Sequence, residues 1–280
     1  MVTARTEELL EITQRLIDGI PADVAEEVVV TGSVSRGIAD EISDVEMLLV
    51  TPEPVDLDEA YALARTAGLE SLGTWGVQSP HAQKVSGYFE DVPFELIWWP
   101  RDFAEERVDA MLVGESPSAG ADALVHGLAI RSAGLLPKWQ DKLRVVPDEL
   151  AASRIEDAAL PWGGFAAAGV LTLIRPHERL ELTEWLVDCA NRVLAIVYSL
   201  NRAWQPAPKR LAARLEPLPV KPDRTAERIE SALEDLDHRT ALLAMTELQL
   251  EAVELAPDGP NIVRARGWLA AAAELLRGAA

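Results

Sequence analysis

Asp44 and Glu46 stand two residues apart in Ser43-Asp44-Val45-Glu46-Met47-Leu48-Leu49-Val50, a run otherwise apolar enough for a buried strand. On a strand, side chains i and i+2 point to the same face. Two carboxylates there repel each other unless a cation lies between them, and oxygen ligands of this kind suit Mg²⁺. The plainer reading is a solvated edge strand of alternating charge, but the flanking Val, Met and Leu residues are too apolar for it. Upstream, the β-branched run Val28-Val29-Val30-Thr31 leads into Gly32-Ser33. Glycine lets backbone N–H groups approach an anion closely, and the serine hydroxyl adds a donor. Arg36 supplies a fork-shaped cation nearby, or else pairs with the local Asp40. Glu95 is the third acid, set in Pro93-Phe94-Glu95-Leu96-Ile97-Trp98-Trp99, a strand too apolar to want a charge. If that strand lies beside the Asp44–Glu46 strand, three carboxylates converge next to phosphate donors. Such a site performs metal-assisted phosphoryl-type transfer, with metal ions clamping the entering and leaving oxygens.

The elements that must hold these residues can be read from periodicity. Leu9, Ile12, Leu16, Ile17 and Ile20 fall at helical spacing, so residues 3–19 predict an amphipathic helix stopped by Gly19 and Pro21. Residues 27–31 and 45–51 predict buried strands, with a turn and one helical turn somewhere between Gly32 and Ser43. Residues 56–68 predict a helix, 75–79 and 83–88 a pair of strands, and 93–99 another strand stopped by Pro100. From Asp102 onward the chain is rich in Ala, Leu, Glu and Arg and turns helical in texture. Leu182, Trp185, Leu186, Cys189, Val193, Ile196, Val197 and Leu200 form one apolar stripe. Residues 231–255 and 262–276 follow the same logic. The expected architecture is α+β: an α/β domain with a mixed sheet over residues 1–115, then an all-helical bundle over 116–280.

Composition narrows the function classes. With 280 residues, 49% of them hydrophobic, the chain can bury a real core and is not a disordered one. Its formal net charge of −20 opposes a nucleic-acid backbone, shows no compensating basic stripe, and would attract a cationic small molecule. A single cysteine excludes a disulfide framework and fits a reducing cytoplasm. No basic segment followed by an apolar core opens the chain, so no signal peptide is expected. The longest uncharged run, between Asp157 and Arg175, just misses the roughly 18 apolar residues of a membrane span and reads as a buried helix with a kinked start.

The strand–Gly-Ser–strand segment resembles the DNA polymerase beta-like nucleotidyltransferase superfamily, whose pattern is Gly-Ser, roughly ten further residues, an acid–apolar–acid strand and a later single acid. Within it the chain looks most like antibiotic nucleotidyltransferases of the aminoglycoside and lincosamide type. Residues 28–50 carry the match, the Glu95 strand adds to it, and Leu200-Asn201-Arg202-Ala203-Trp204-Gln205-Pro206 with Lys209 looks like a segment of those relatives. Glu46 stands where the family usually has Asp. The resemblance implies that Gly32 and Ser33, with Arg36 nearby, hold the nucleotide's phosphates, and that Lys209 reaches the triphosphate from the helical half. It implies that Asp44 and Glu46 bind two Mg²⁺ ions, and that Glu95 is the general base and a further metal ligand. The implied reaction transfers a nucleotidyl group, AMP from ATP, to a hydroxyl of a small molecule, with release of pyrophosphate. Antibiotic resistance is the implied role. A protein acceptor and a non-catalytic nucleotide-binding protein are the alternatives, and the oligomeric state is left open.

Several other residues have two readings. Glu181, Glu184 and Asp188 lie on one helix at neighbour spacing, either solvated or recognising a cationic acceptor. Lys209, in a loop after Pro206 and Pro208, is either an exposed lysine or a cation reaching the triphosphate, and Asn201 and Arg202, at the end of that helix, share the two readings. Trp98 and Trp99 alternate faces, so one belongs to the core and the other is available to stack a base or sugar. His81, His126, His177 and His238 share no metal spacing, and Cys189 reads as an inert core thiol.

Overall fold

The computed structural model describes residues 2–74, 81–160 and 170–278. The chain divides into two compact units, Met1–Arg144 and Val145–Ala280.

The first unit opens with α1, Ala4–Asp18. The Thr3 hydroxyl caps it by accepting from the Thr6 N–H at 3.2 Å. Leu9, Ile12, Leu16 and Ile17 form its buried face. Strands β1 (Glu27–Val30) and β2 (Val45–Thr51) flank a single helical turn, α2 (Gly32–Ser35). Helix α3, Leu57–Thr66, starts at Asp56, whose carboxylate accepts from the Glu59 N–H. Three strands follow: β3 (Glu70–Gly73), β4 (Gln83–Phe89) and β5 (Val92–Pro100). The β4–β5 hairpin turns through Glu90 and Asp91, both at positive φ, as a two-residue hairpin turn requires. Helices α4 (Arg101–Leu112) and α5 (Ser118–Val125), strand β6 (Leu128–Arg131) and helix α6 (Leu135–Leu143) complete the unit.

The six strands form one sheet in the order β3-β4-β5-β2-β1-β6. Only β2 and β5 run parallel; the other neighbours are antiparallel. The sheet is therefore mixed, as the sequence predicts. One face is sealed by an apolar core that includes Leu9, Leu16, Val28, Met47, Leu49, Leu96 and Trp98. Burying each such side chain contributes roughly 1.5–3 kcal/mol.

Two charged residues lock β1 and β6 in place. Glu27 is fully buried, and its carboxylate accepts from the Ser132 hydroxyl and from the N–H groups of Ala133, Leu135 and Leu136, at the start of α6. Arg131 donates to the carbonyls of Ile17, Ile20, Pro21 and Ala25, satisfying groups left over where α1 ends.

The second unit is helical among the described residues. It comprises α7 (Asp148–Ala159), a 3-10 turn (Leu171–Ile174), α8 (Arg179–Leu200), α9 (Leu211–Leu215), α10 (Thr225–Glu234), α11 (His238–Glu254) and α12 (Pro260–Gly278). The α8 stripe is buried from Leu182 to Val197, and Leu200 packs against it half-buried. The fold class is α+β, a mixed-sheet unit followed by a helical one.

Two expectations change, and two fall wholly or mostly outside the described residues. The division falls after Arg144 rather than after residue 115, because β6 adds to the free edge of β1 and α6 is tied to Glu27. Strand β3 pairs with β4, where the sequence pointed to residues 75–79; those residues lie outside the described ones. The helix expected over 231–255 is two helices, interrupted at Asp235–Asp237, where Asp237 caps α11 by accepting from the Arg239 N–H. Most of the run read as a buried kinked helix, residues 161–169, also lies outside the described residues. No helix among the described residues is long and apolar enough to cross a membrane.

Candidate active site

The parallel pairing of β2 with β5 sets the site. Its register places Glu46 directly opposite Glu95. The next strand, β4, places Ser86 opposite Glu95. On the other side, the Thr31 N–H donates to the Glu46 carbonyl at 2.9 Å. A row Ser86, Glu95, Glu46 therefore crosses β4, β5 and β2 and ends at Thr31, the residue after β1. Alternation along β5 buries Phe94, Leu96 and Trp98 and leaves Pro93, Glu95, Ile97 and Trp99 half-buried on the opposite face. Neighbouring strands lie about 4.8 Å apart, and two ionised carboxylates about 5 Å apart repel by roughly 3 kcal/mol at an effective dielectric of 20. A cation between them, or a proton shared by the pair, relieves that repulsion.

The Gly-Ser turn closes one side of this pair. Gly32 has φ +71°, and a β-carbon there would overlap the Glu46 carboxylate. Only glycine lets the turn and that carboxylate lie so close. Ser35 donates its hydroxyl back to the Gly32 carbonyl at 3.3 Å. The half-exposed Ser33 hydroxyl has no protein partner among the described residues, and its carbonyl accepts from the Ile38 N–H.

Asp44 immediately precedes β2, so the strand ladder does not fix its side chain as it fixes Glu46. It follows a closed turn in which the Ser43 hydroxyl accepts from the Asp40 N–H and donates to the Asp40 carboxylate. Asp40 thus serves that turn, and Arg36 pairs instead with Asp122 of α5. The strand pairing needed for three converging carboxylates is present: it sets Glu46 opposite Glu95, with Asp44 two residues before Glu46. Among the described residues no three acidic, histidine or cysteine side chains form a metal-binding group. The facing pair Glu46 and Glu95 fits a hard cation that completes its coordination with substrate phosphate oxygens and water, the usual habit of Mg²⁺.

Sequence reasoning missed Lys84. It lies on the Glu95 face of β4, opposite Ile97 and so diagonal to Glu95. The alternation is legible, since Lys84 and Ser86 flank the buried Val85, but only the strand register assigns the face. Of the two tryptophans, Trp98 is core at 1% exposure, and Trp99 is half-buried edge-on against Phe103. His81 stacks on Phe103, and His238 is buried with Nδ1 3.1 Å from the Leu173 carbonyl.

The helical-unit candidates are described within that unit alone. Lys209 is exposed. Asn201 bridges backbone, donating to the carbonyls of Val197 and Val220 and accepting from the Val220 N–H. Arg202 donates to the Val146 carbonyl and pairs with Asp148. These two tie down the segments around α8. Glu181 and Glu184 are exposed, and Asp188 pairs with Arg192.

No protein-family model matches the chain, and no curated protein matches it in sequence. Among solved structures, one match is the crystal structure of a nucleotidyltransferase-like protein from Exiguobacterium sibiricum 255-15. It is 10% identical, with a TM-score of 0.35, over 97% of this chain and 92% of that chain. What the site can do follows from its own geometry.

Proposed function

We propose that this chain is a nucleotidyltransferase that moves a nucleotidyl group, AMP from ATP, onto a hydroxyl of a small molecule. The observation that carries the reading is the facing pair Glu46 and Glu95, with the Gly32-Ser33 turn packed against the Glu46 carboxylate. Phosphate donors and paired acids on one sheet face are what such a transfer needs.

Glu46 and Glu95 would hold Mg²⁺; the full form of the reading adds Asp44 and a second ion. Bound there, the metal would neutralise charge on the phosphates and on the developing oxyanions. The Gly32 backbone, the Ser33 hydroxyl and Arg36 orient the β- and γ-phosphates. Glu95 takes the proton from the acceptor hydroxyl. The freed oxygen attacks the α-phosphorus, the bond from that phosphorus to the bridging oxygen breaks, and pyrophosphate leaves with the electron pair. The net charge of −20 favours a cationic acceptor of the aminoglycoside kind, and the buried free thiol of Cys189 suits a cytoplasmic protein.

The test is pyrophosphate release with each of the four nucleoside triphosphates and Mg²⁺, across hydroxyl-bearing small molecules that include aminoglycosides and lincosamides. Release that needs one nucleotide, one acceptor class and Glu46 is expected. Absence of release with every pair, or release that survives Glu46→Gln, overturns the reading.

A further inference from the structure

Arg36 and Asp122 form an ion pair that the transfer reaction does not by itself explain. Arg36 follows α2, the turn that carries Gly32 and Ser33. Its Nη2 donates to the Asp122 carboxylate and, at 3.4 Å, to the Asp122 main-chain carbonyl. Both side chains are largely buried, at 13% and 12% exposure. Only one of the guanidinium's three nitrogens is used, and among the described residues Nε and Nη1 have no protein partner. A guanidinium offers five N–H groups in a rigid fork, so three point elsewhere. Ser33 lies three residues before Arg36 on the same turn, a spacing that puts side chains on one side, and its hydroxyl is also unused.

We propose that Asp122 is a positioning residue of the phosphate turn. It grips one amino group of Arg36 and thereby fixes the Nε–Nη1 edge as a bidentate donor to a triphosphate. The inference rests on the nucleotidyltransferase reading and adds to it. It makes Arg36 a directional ligand rather than a loose point charge, since Asp122 already balances its charge. It also assigns α5, beyond the acid-bearing strands, a part in donor recognition.

The two roles open to Asp122 differ in sign. If its carboxylate only opposes an incoming anion, removing it tightens triphosphate binding. If it positions Arg36, removing it weakens binding even though the site becomes more positive.

Calorimetry on the full chain, with ATP, GTP, CTP and UTP in turn and Mg²⁺ present, decides the matter. Asp122→Asn is expected to raise Kd by about tenfold, the loss of one charge-assisted hydrogen bond. Arg36→Met is expected to raise it at least as much, and the double variant no further than Arg36→Met alone. A merely structural role would lower the binding-competent fraction, read as stoichiometry, without moving Kd. Where Asp122→Asn does not fold, Asp122→Glu keeps the charge, shifts the carboxylate by a methylene, and is expected to weaken binding too. Unchanged or tighter binding in the Asp122 variants, while Ser33→Ala still weakens it, overturns this inference and leaves the nucleotidyltransferase reading standing. So do additive losses in the double variant. A wild-type chain that binds none of the four triphosphates overturns both.

Discussion

Gly32 and Glu46 lie in close contact: a β-carbon on Gly32 would overlap the Glu46 carboxylate, and the Gly32 backbone sits at φ +71°. The Gly32-Ser33 turn and the strand that carries Glu46 are thus one packed unit. Gly32→Ala is expected to cost about 1–2 kcal/mol of stability through left-handed backbone strain. The larger effect is on chemistry, because the Glu46 carboxylate must move. A displacement of about 1 Å costs on the order of 100-fold in rate. Thermal melts alongside pyrophosphate release separate the two, and a variant with near-wild-type turnover sinks the assignment.

The facing carboxylates yield a second expectation. Glu46→Gln and Glu95→Gln each remove one charge from a pair that faces across the β2–β5 ladder. Shape is kept in both, so the fold should be retained without a metal. Turnover should fall by about 10³-fold, the scale of losing a general base or a ligand to the reacting phosphates. A fold retained with activity lost is the pattern of a functional site. A fall in melting temperature without loss of turnover would mark the pair as structural.

Both acids are legible in the sequence, because charged residues in the runs 45–51 and 93–99 stand out against Val, Leu, Ile and Trp. The parallel pairing that makes them neighbours enters there only as a condition, since register depends on partners far apart along the chain. Strand β6 is illegible for a related reason. Leu128–Arg131 is four residues inside a helix-textured stretch, and it becomes a strand because the edge of β1 is there to receive it. The partner of Arg36 escapes a sequence reading because Asp40 is near in sequence and Asp122 is near only in space.

Glu27 shows the same non-local logic in the fold's favour. It is buried with four donors on its carboxylate, three of them backbone N–H groups of Ala133, Leu135 and Leu136. Glu27→Ala leaves those donors without partners. Each unsatisfied buried group costs about 1–3 kcal/mol before relaxation, so a loss of about 3–5 kcal/mol is expected in urea unfolding. A loss under about 1 kcal/mol would mean that water replaces the carboxylate at the start of α6.

Cys189 offers a reporter for the helical unit. It is the chain's one cysteine, buried in the α8 stripe, with its thiol donating to the Gln249 side-chain carbonyl at 3.2 Å. Burial pushes the thiol well above its ordinary range, with the nearby Asp188 adding to the shift. The thiolate is the reactive form, so the native protein should resist alkylation at about pH 8 while the urea-unfolded chain labels fully. The shift also sets a direction for stability. The folded state holds this proton more tightly than the unfolded chain, whose thiol ionises near about 8.5. The contribution is therefore complete below that pH and declines as pH rises toward the folded value. Urea midpoints read by Cys189 labelling should fall between about pH 8 and pH 10 in the wild type. Midpoints read by circular dichroism should fall less over that range in Cys189→Ala than in the wild type. Equal slopes in the two proteins would show that the thiol titrates alike folded and unfolded.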